Sequence, residues 1–323
     1  NIRQETLNSV VISFEIPSNL KSQYAFKAGQ YLTLSSHING EKVKRSYSIC
    51  SSPESMSLQV GVKAIENGVF SNYVNDALRE GDSIEVSVPE GRFVLNDNPV
   101  ANYCAFVAGS GITPLMSIVS DVLSKNKSSV FIMGYGNKTK ASTMFTSDID
   151  ELKSLYPKRF YCYNIYSKEN NPEAAFGRID SNFINYILKQ HSDVIFEKVL
   201  LCGPEKMIED SKETLEKANY SKDKVLYELF YSKPAVEDNE KGKGSSAKII
   251  YDEETLDLEV PEKMTILDAA LQKNIDVPYS CQGGVCSSCI AKITSGTATM
   301  IQNNILTDSE VEEGLVLTCQ AIP

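Results

Sequence analysis

From about residue 9 to residue 97, apolar and polar positions alternate, in SVVISFEI, QYLTLSS, KVKRSYSI, SLQVGVK, DSIEVSV and GRFVL. A period of two buries one face of a strand and wets the other, and Gly, Pro and Asn-Gly pairs punctuate these runs as turn residues do. Six short strands so spaced predict a small antiparallel β-barrel, with one helix near Ser71 to Leu78 set among them. Past NDNPVANY the rhythm changes to continuous apolar runs, YCAFVAG, VFIMGYG, FYCYNIY, KVLLCG and VLYELF, with helical spacing between them in PLMSIVSDVL and DSNFINYILKQ. Buried strands separated by helices predict a five-stranded parallel sheet of Rossmann-like type, and Asp180 is placed to cap a helix. Residues 232 to 246, SKPAVEDNEKGKGSS, carry almost no apolar side chains and read as a flexible charged linker. Beyond it, AKIIYD and ETLDLEV predict strands, and TILDAALQK a helix whose Thr265 and Asp268 have capping-box-like spacing. The chain is thus expected to hold a β-barrel over 1–100, an α/β domain over 101–231, the linker, and a small α+β domain over 247–323.

A length of 323 residues exceeds what one core usually supports, and 42% apolar content is ample for several. Lys and Arg number 32 against 42 Asp and Glu, a net charge of −10. That balance argues against nucleic acid and against anionic membranes, and favours small cofactors or basic proteins as partners. No apolar run approaches the roughly 18 residues that span a bilayer, and the opening NIRQETLNSV is not a signal peptide, so a cytoplasmic protein is expected. The opening residue is not Met, so trimmed ends are expected as well. Residues 247–323 hold 4 Lys and no Arg against 12 Asp and Glu, a net of −8. A solvated acidic surface is the ordinary reading; an acidic docking face that steers this domain toward a basic partner is the sharper one.

The eight cysteines change the picture most. Cys50, Cys104, Cys162 and Cys202 are scattered singly, whereas Cys281, Cys286, Cys289 and Cys319 gather late in the chain. Reduced thiols plus one metal site fit this layout better than a disulfide framework. The spacing C-x4-C-x2-C, with a distant fourth Cys, is that of plant-type 2Fe-2S centres, and Gly283 and Gly284 suit a loop that must approach inorganic sulfide closely. A structural zinc normally takes two separated C-x2-C knuckles, of which one is present; zinc stays the alternative. The two histidines, His37 and His191, lie far from other ligand types, which makes a His-rich metal site or a Ser-His-Asp triad improbable.

The remaining motifs are weaker one by one. RSYS, Arg45 to Ser48, ends an alternating strand and alone would be a solvated charge beside a packing Tyr. GSGITP, Gly109 to Pro114, follows a strand and opens a helix; its glycines admit a phosphate or nicotinamide, or merely turn the chain. CGP, Cys202 to Pro204, ends another strand, where Cys202 alone would be a small buried hydrophobe. YELF places Glu228 and Phe230 at the end of the sheet. Ser167 and Lys168 follow its third strand, with Glu169 adjacent and Arg178 a little further on.

Together with KAGQYL, GVFSN and PEGRF, these motifs resemble the ferredoxin-NADP reductase superfamily, and the C-terminal cysteines resemble plant-type ferredoxins. The order of parts is similar to oxygenase reductases that carry a C-terminal 2Fe-2S domain of β-grasp fold. That resemblance implies a multidomain protein: a flavin-binding β-barrel, an NAD(P)-binding Rossmann-like domain and a ferredoxin domain. It implies FAD, with FMN a lesser possibility, a 2Fe-2S cluster on Cys281, Cys286, Cys289 and Cys319, and NADPH, with NADH possible. Flavin contacts carry over to Arg45, Ser46, Tyr47, Ser48, Gly68, Ser71 and Phe230: Arg45 on phosphate, Tyr47 and Phe230 on the ring, Ser48 near N5. Nicotinamide contacts carry over to Gly109, Gly111, Thr113, Pro114, Cys202 and Gly203, and the 2′-phosphate to Ser167 and Lys168. Ser48, Glu228 and Cys202 are the expected catalytic residues. The implied activity is electron transfer from NAD(P)H to a terminal diiron oxygenase of aromatic or acyl-CoA type, by a protein monomeric outside its complex. A general NAD(P)H-ferredoxin-type reductase and a redox sensor are the alternatives. Such ferredoxin domains run on past TCQAIP into a closing strand, so the resemblance also implies a longer natural C-terminus.

Overall fold

The computed structural model describes every residue except 56, 97–99, 231–243, 252–253, 274, 276 and 280. The chain divides into two compact units, Asn1–Phe230 and Tyr231–Pro323.

The first unit begins with two three-stranded antiparallel sheets. One runs β1 (Ile2–Thr6), β2 (Ser9–Phe14), β5 (Leu58–Lys63), and the other β4 (Glu41–Ser48), β3 (Tyr31–Ile38), β6 (Glu85–Val86). A bridge between Ile49 and Val60 joins them. Val10, Ile12, Leu32, Leu34, Val60 and Phe70 fill the space between, with Phe70 supplied by α1 (Val69–Asp76). β2 reads as a nearly unbroken apolar run because both its faces are covered. Val10 and Ile12 enter this core, whereas Val11 joins Cys50 and Phe93 in the core of the next domain. Two expectations need correction here. β1 precedes the first predicted strand, its exposed Arg3 and Gln4 having masked its alternation. GRFVL forms no strand among the described residues; Glu90 makes a single bridge to Tyr31.

The α/β part has a parallel sheet in the order β10-β9-β8-β7-β11-β12. Its strands are β7 (Asn102–Ala108), β8 (Phe131–Asn137), β9 (Phe160–Tyr166), β10 (Ala175–Phe176), β11 (Phe196–Gly203) and β12 (Val225–Leu229). Six strands replace the predicted five. β10 is two residues long and exposed on both, too short to show a pattern. Helices α2 (Ile112–Lys125), α3 (Thr146–Leu155), α4 (Ser181–Gln190) and α5 (Glu205–Lys217) cross between them. Asp180 caps α4 as expected, accepting the Phe183 amide at 2.9 Å. The chain reverses direction across the sheet at β7, which lies between β8 and β11. Loops at the carboxyl ends of these strands therefore open into a crevice, the usual ligand position in such sheets. The barrel is fastened alongside: Ser117 Oγ of α2 donates to the Ser51 carbonyl at 2.6 Å.

The second unit pairs β13 (Ser245–Tyr251) with β14 (Glu254–Val260), β15 (Ile290–Lys292) with β17 (Leu315–Leu317), and β16 (Thr299–Met300) with β18 (Ala321–Ile322), all antiparallel. Helices α6 (Ile266–Gln272) and α7 (Asp308–Glu312) complete it. Thr265 caps α6 through the Asp268 amide at 3.1 Å. Leu258, Val260, Leu267, Leu317, Cys289 and Cys319 share its core. β13 starts at Ser245, inside the stretch read as linker; residues 232–243 of that stretch lie outside the described ones.

Candidate active site and metal centre

Sheet register brings the three expected catalytic residues together. β11 and β12 run parallel with Cys202 opposite Glu228, and the Ser48 hydroxyl, at the end of β4, donates to Glu228 Oε2 at 3.4 Å. Ser48 and Cys202 are buried, and Glu228 is half-buried at the carboxyl end of its strand. Burial pushes the Cys202 thiol well above its ordinary range, and the Glu228 carboxylate adds to that rise. Cys202 is therefore a neutral thiol at physiological pH and not a nucleophile. Phe230 follows β12 with 43% of its surface exposed, which leaves its ring free to stack on a flat ligand.

The turn Gly109–Gly111 lies against this group. A Cβ at Gly111 would sit 2.4 Å from the Cys202 carbonyl oxygen, so GSG and CGP touch backbone to backbone. Gly109 holds φ +57 and has nothing within 4 Å of its would-be Cβ, which leaves its outer side open to a ligand. Thr113 Oγ1 donates to the Ser110 carbonyl at 3.0 Å and closes the turn. Pro114 is buried in the first turn of α2, and Gly203 takes φ +156 beside Met207 and Ala108. Tyr135, unnoticed in the sequence, donates its hydroxyl to the Gly109 carbonyl at 3.2 Å. A Tyr in an apolar run gives no sign of such a role until the strands are ordered.

On β4, alternation puts Arg45 and Tyr47 on one face and Ser46 and Ser48 on the other. Arg45 is exposed, and Nη1 donates to the Lys44 carbonyl at 2.7 Å. Tyr47 lies 5.9 Å from the Phe70 ring of α1, and Ser46 Oγ is 3.2 Å from Thr33 Oγ1. Burial pushes the Tyr47 hydroxyl far up, against the opposing charge of Arg45. Gly68 stands at the N-terminus of α1 with no side chain capping the first amides, which stay available to an anion. Ser71 is engaged with the protein itself: its Oγ accepts from the Ile65 amide at 3.3 Å and donates to the Gly68 carbonyl at 3.4 Å.

The β8–β9 ladder continues past the strands. Amides of Ser167 and Lys168 donate to the carbonyls of Asn137 and Lys138, at 3.0 and 2.9 Å, and hold both residues at the rim of the crevice. Lys168 and Arg178 are exposed. The neighbouring Glu169 is occupied: Oε2 accepts the Lys140 amide at 2.8 Å and Oε1 the Asn171 side chain at 3.2 Å.

In the second unit the sulfurs of Cys286, Cys281, Cys319 and Cys289 form a chain of pairwise contacts. Among the described residues no three His, Cys, Asp or Glu side chains converge on a single-ion position. Backbone amides point at the sulfurs: Gly283 and Val285 at Cys281, Ser288 at Cys286, Gly284 at Cys319. Amide donors directed at buried sulfur suit thiolates, so the loop fits a thiolate-held cluster. Cys319 is pushed up to about 12: its hydrogen bond with Cys281 lowers it, but that with Cys289 and burial outweigh the effect. Thr318 and Gln320, also missed in the sequence, anchor the loop on either side of Cys319. The Thr318 amide donates to the Cys289 carbonyl at 3.0 Å, and Gln320 Nε2 to the Gln282 carbonyl at 3.0 Å. Gln282 and Gly284 both take positive φ, 54° and 71°, so the loop coils back on its own sulfurs.

Three family models match in the same order as these parts: an oxidoreductase FAD-binding domain over residues 2–95, an oxidoreductase NAD-binding domain over 106–213, and a 2Fe-2S iron-sulfur cluster binding domain over 249–323. In fold, the chain resembles phthalate dioxygenase reductase, with a TM-score of 0.63 and 22% identity over 100% of this chain and 92% of that one. The chain belongs to the oxygenase reductases of the ferredoxin-NADP reductase superfamily, electron-transfer oxidoreductases that join FAD-binding, NAD-binding and 2Fe-2S domains in one polypeptide. It is 35% identical to a subunit of the 1,2-phenylacetyl-CoA epoxidase of Escherichia coli, over 100% of this chain and 93% of that protein. It is 30% identical to the ferredoxin reductase component of 3-ketosteroid-9-alpha-monooxygenase of Rhodococcus rhodochrous, over 99% and 92%. No helix among the described residues is long and apolar enough to cross a membrane.

Proposed function

We propose that this chain takes electrons from NADPH and delivers them to a terminal oxygenase of the diiron, acyl-CoA or aromatic type, acting in the cytoplasm as a monomer outside that complex. The observation that carries the reading is the contact of Ser48 with Glu228 beside Cys202 and Gly111, in a chain whose other unit gathers four thiols. Its relatives serve oxygenases by name, which supports the choice of acceptor. A bound flavin would supply two-electron acceptance from a nicotinamide and one-electron release toward an iron-sulfur cluster.

The protein's part is to hold and orient. The exposed guanidinium of Arg45 and the uncapped amides at the start of α1 would hold the flavin's phosphates, and Tyr47 and Phe230 would pack on its ring. Ser48 supplies a hydroxyl whose orientation Glu228 fixes by accepting from it. Gly109 and Gly111 let the nicotinamide approach the backbone, with Thr113, Pro114 and Gly203 shaping the turn and Cys202 a neutral wall behind it. Ser167, Lys168 and Arg178 favour a 2′-phosphate. The Glu169 carboxylate accepts from the Lys140 backbone amide and the Asn171 side chain, so both of its oxygens already have donors where ribose hydroxyls would otherwise bind. Cys281, Cys286, Cys289 and Cys319 hold the cluster. The domain division 1–100, 101–231 and 247–323 follows these roles.

The loaded protein should reduce cytochrome c catalytically with NADPH, faster than with NADH, and should co-purify from its own cells with a diiron oxygenase. Flavin reduction without multiple turnover would favour a redox sensor. Recovery of a different acceptor protein would favour a general reductase.

A further inference from the structure

Glu5 belongs to β1 of the barrel, yet its carboxylate serves the α/β domain. Its side chain is 6% exposed, and Oε1 lies 2.9 Å from Nη2 of Arg3. Oε2 accepts a hydrogen bond from the backbone amide of Phe145 at 2.8 Å. Arg3 continues to Asp148 at 3.3 Å, in the first turn of α3. Phe145 stands where α3 begins, in the left-handed region at φ 59°, and offers no side-chain oxygen to cap the helix. Glu5, from the barrel, receives the amide of this N-cap residue, the part an acidic third residue plays in a capping box, at the end of a helix where negative charge is favoured. Burial and the Asp148 charge push the Glu5 carboxyl up, while the Phe145 amide and Arg3 pull it down.

The same corner of chain meets the reaction centre from two further directions. The Tyr135 hydroxyl, with one proton to share, lies 3.2 Å from the Gly109 carbonyl and 3.4 Å from the Met144 carbonyl, which brings the corner beside the nicotinamide turn. On the barrel side, a Cβ at Gly61 of β5 would lie 2.7 Å from Thr113 Cγ2, 3.1 Å from the Phe145 ring and 3.2 Å from the Met144 methyl. Gly61 thus lets strand β5 lie flush against GITP and the Met144–Phe145 corner together. Lys63 Nζ of β5 also donates to the Ser142 carbonyl at 3.0 Å, and the Glu5 carboxylate adds a directed, charge-assisted hydrogen bond to the Phe145 amide itself.

We propose that Glu5 is a positioning residue for hydride transfer: by holding the Met144–Phe145 corner on the barrel, it sets how the Gly109–Gly111 turn faces Ser48 and Glu228. The inference rests on the nicotinamide-to-flavin reading above. Transfer of this kind is sensitive to displacements of the order of an ångström, so a clamp remote from the reacting atoms can govern it.

The test uses the full-length protein carrying E5A, which removes both contacts, and E5Q, which keeps an acceptor and loses the ion pair. In anaerobic rapid mixing, the limiting rate of flavin reduction at saturating NADPH should fall about tenfold in E5A and about threefold in E5Q. The nucleotide dissociation constant should stay within about twofold. In the cofactor-free proteins, hydrogen exchange in residues 143–148 should quicken in E5A relative to wild type, with residues 281–289 unchanged. Limiting rates equal to wild type, a loss confined to nucleotide affinity, or unchanged exchange would each overturn the inference. If E5A does not fold, E5Q carries both measurements. A wild-type protein that NADPH fails to reduce would sink the functional reading and this one together; a normally reduced wild type with unaffected variants sinks this one alone.

Discussion

In the first unit a hydroxyl and a carboxylate 180 positions apart in sequence come within 3.4 Å, whereas in the second three of four cluster thiols come from nine consecutive residues. The site proposed for flavin and nicotinamide is held by parallel-strand register, by backbone contact between Gly111 and Cys202, and by a core that the barrel and the sheet share through Val11, Cys50 and Phe93. The cluster loop is held by amides turned onto its own sulfurs and by the two polar neighbours of Cys319. A site of the first kind inherits its precision from a large core, and any shift between domains reaches it. A site of the second kind is a local coil, and its metal supplies order that a small core cannot.

The largest effect should come from cutting the second site without touching the first. Cys289→Ser is expected to lower NADPH-dependent cytochrome c reduction more than about a hundredfold while ferricyanide reduction stays within about twofold, measured on the same preparation. If both activities fall together, the two units do not divide the work as described. Gly111→Ala strikes the contact between the two nicotinamide motifs. Its Cβ would press on the Cys202 carbonyl, so the first unit should lose about 1–3 kcal/mol of stability and much of its flavin reduction. The visible spectrum of the cluster should be unchanged, and a bleached cluster would contradict the independence of the second site. Ser48→Ala removes one hydroxyl at the centre of the first site, and the limiting rate of flavin reduction should drop about tenfold with little change in melting temperature. The smallest effect concerns charge. Because residues 247–323 carry most of the net negative charge, raising ionic strength from about 0.01 M to about 0.5 M should slow reduction of the native acceptor several-fold. Flavin reduction at saturating NADPH should not change, and an acceptor rate indifferent to salt would remove the acidic docking face from consideration.

The elements that could be read along the chain were those whose evidence is local. Alternation marked the barrel strands β2 to β5, apolar runs marked β7, β8, β9, β11 and β12, and Asp180 and Thr265 announced the helices they cap. β1 and β10 were hidden because a strand of two to five residues with mostly exposed side chains takes its existence from a neighbour, not from a pattern of its own; GRFVL misled the other way, its alternation coming from Phe93 buried in the core of the next domain. The same division holds for function. Cysteine spacing pointed to the cluster, since three of its four proposed ligands are neighbours in sequence and a loop of that length has few ways to bring them together. Tertiary structure alone decided that Ser48 meets Glu228, that Tyr135 pins Gly109, that Glu169 is spent on Lys140 and Asn171, and that Glu5 caps a helix of another domain. Each of those contacts joins segments that only sheet order and domain packing bring together, and a hydrogen bond between remote residues leaves no periodicity in either one.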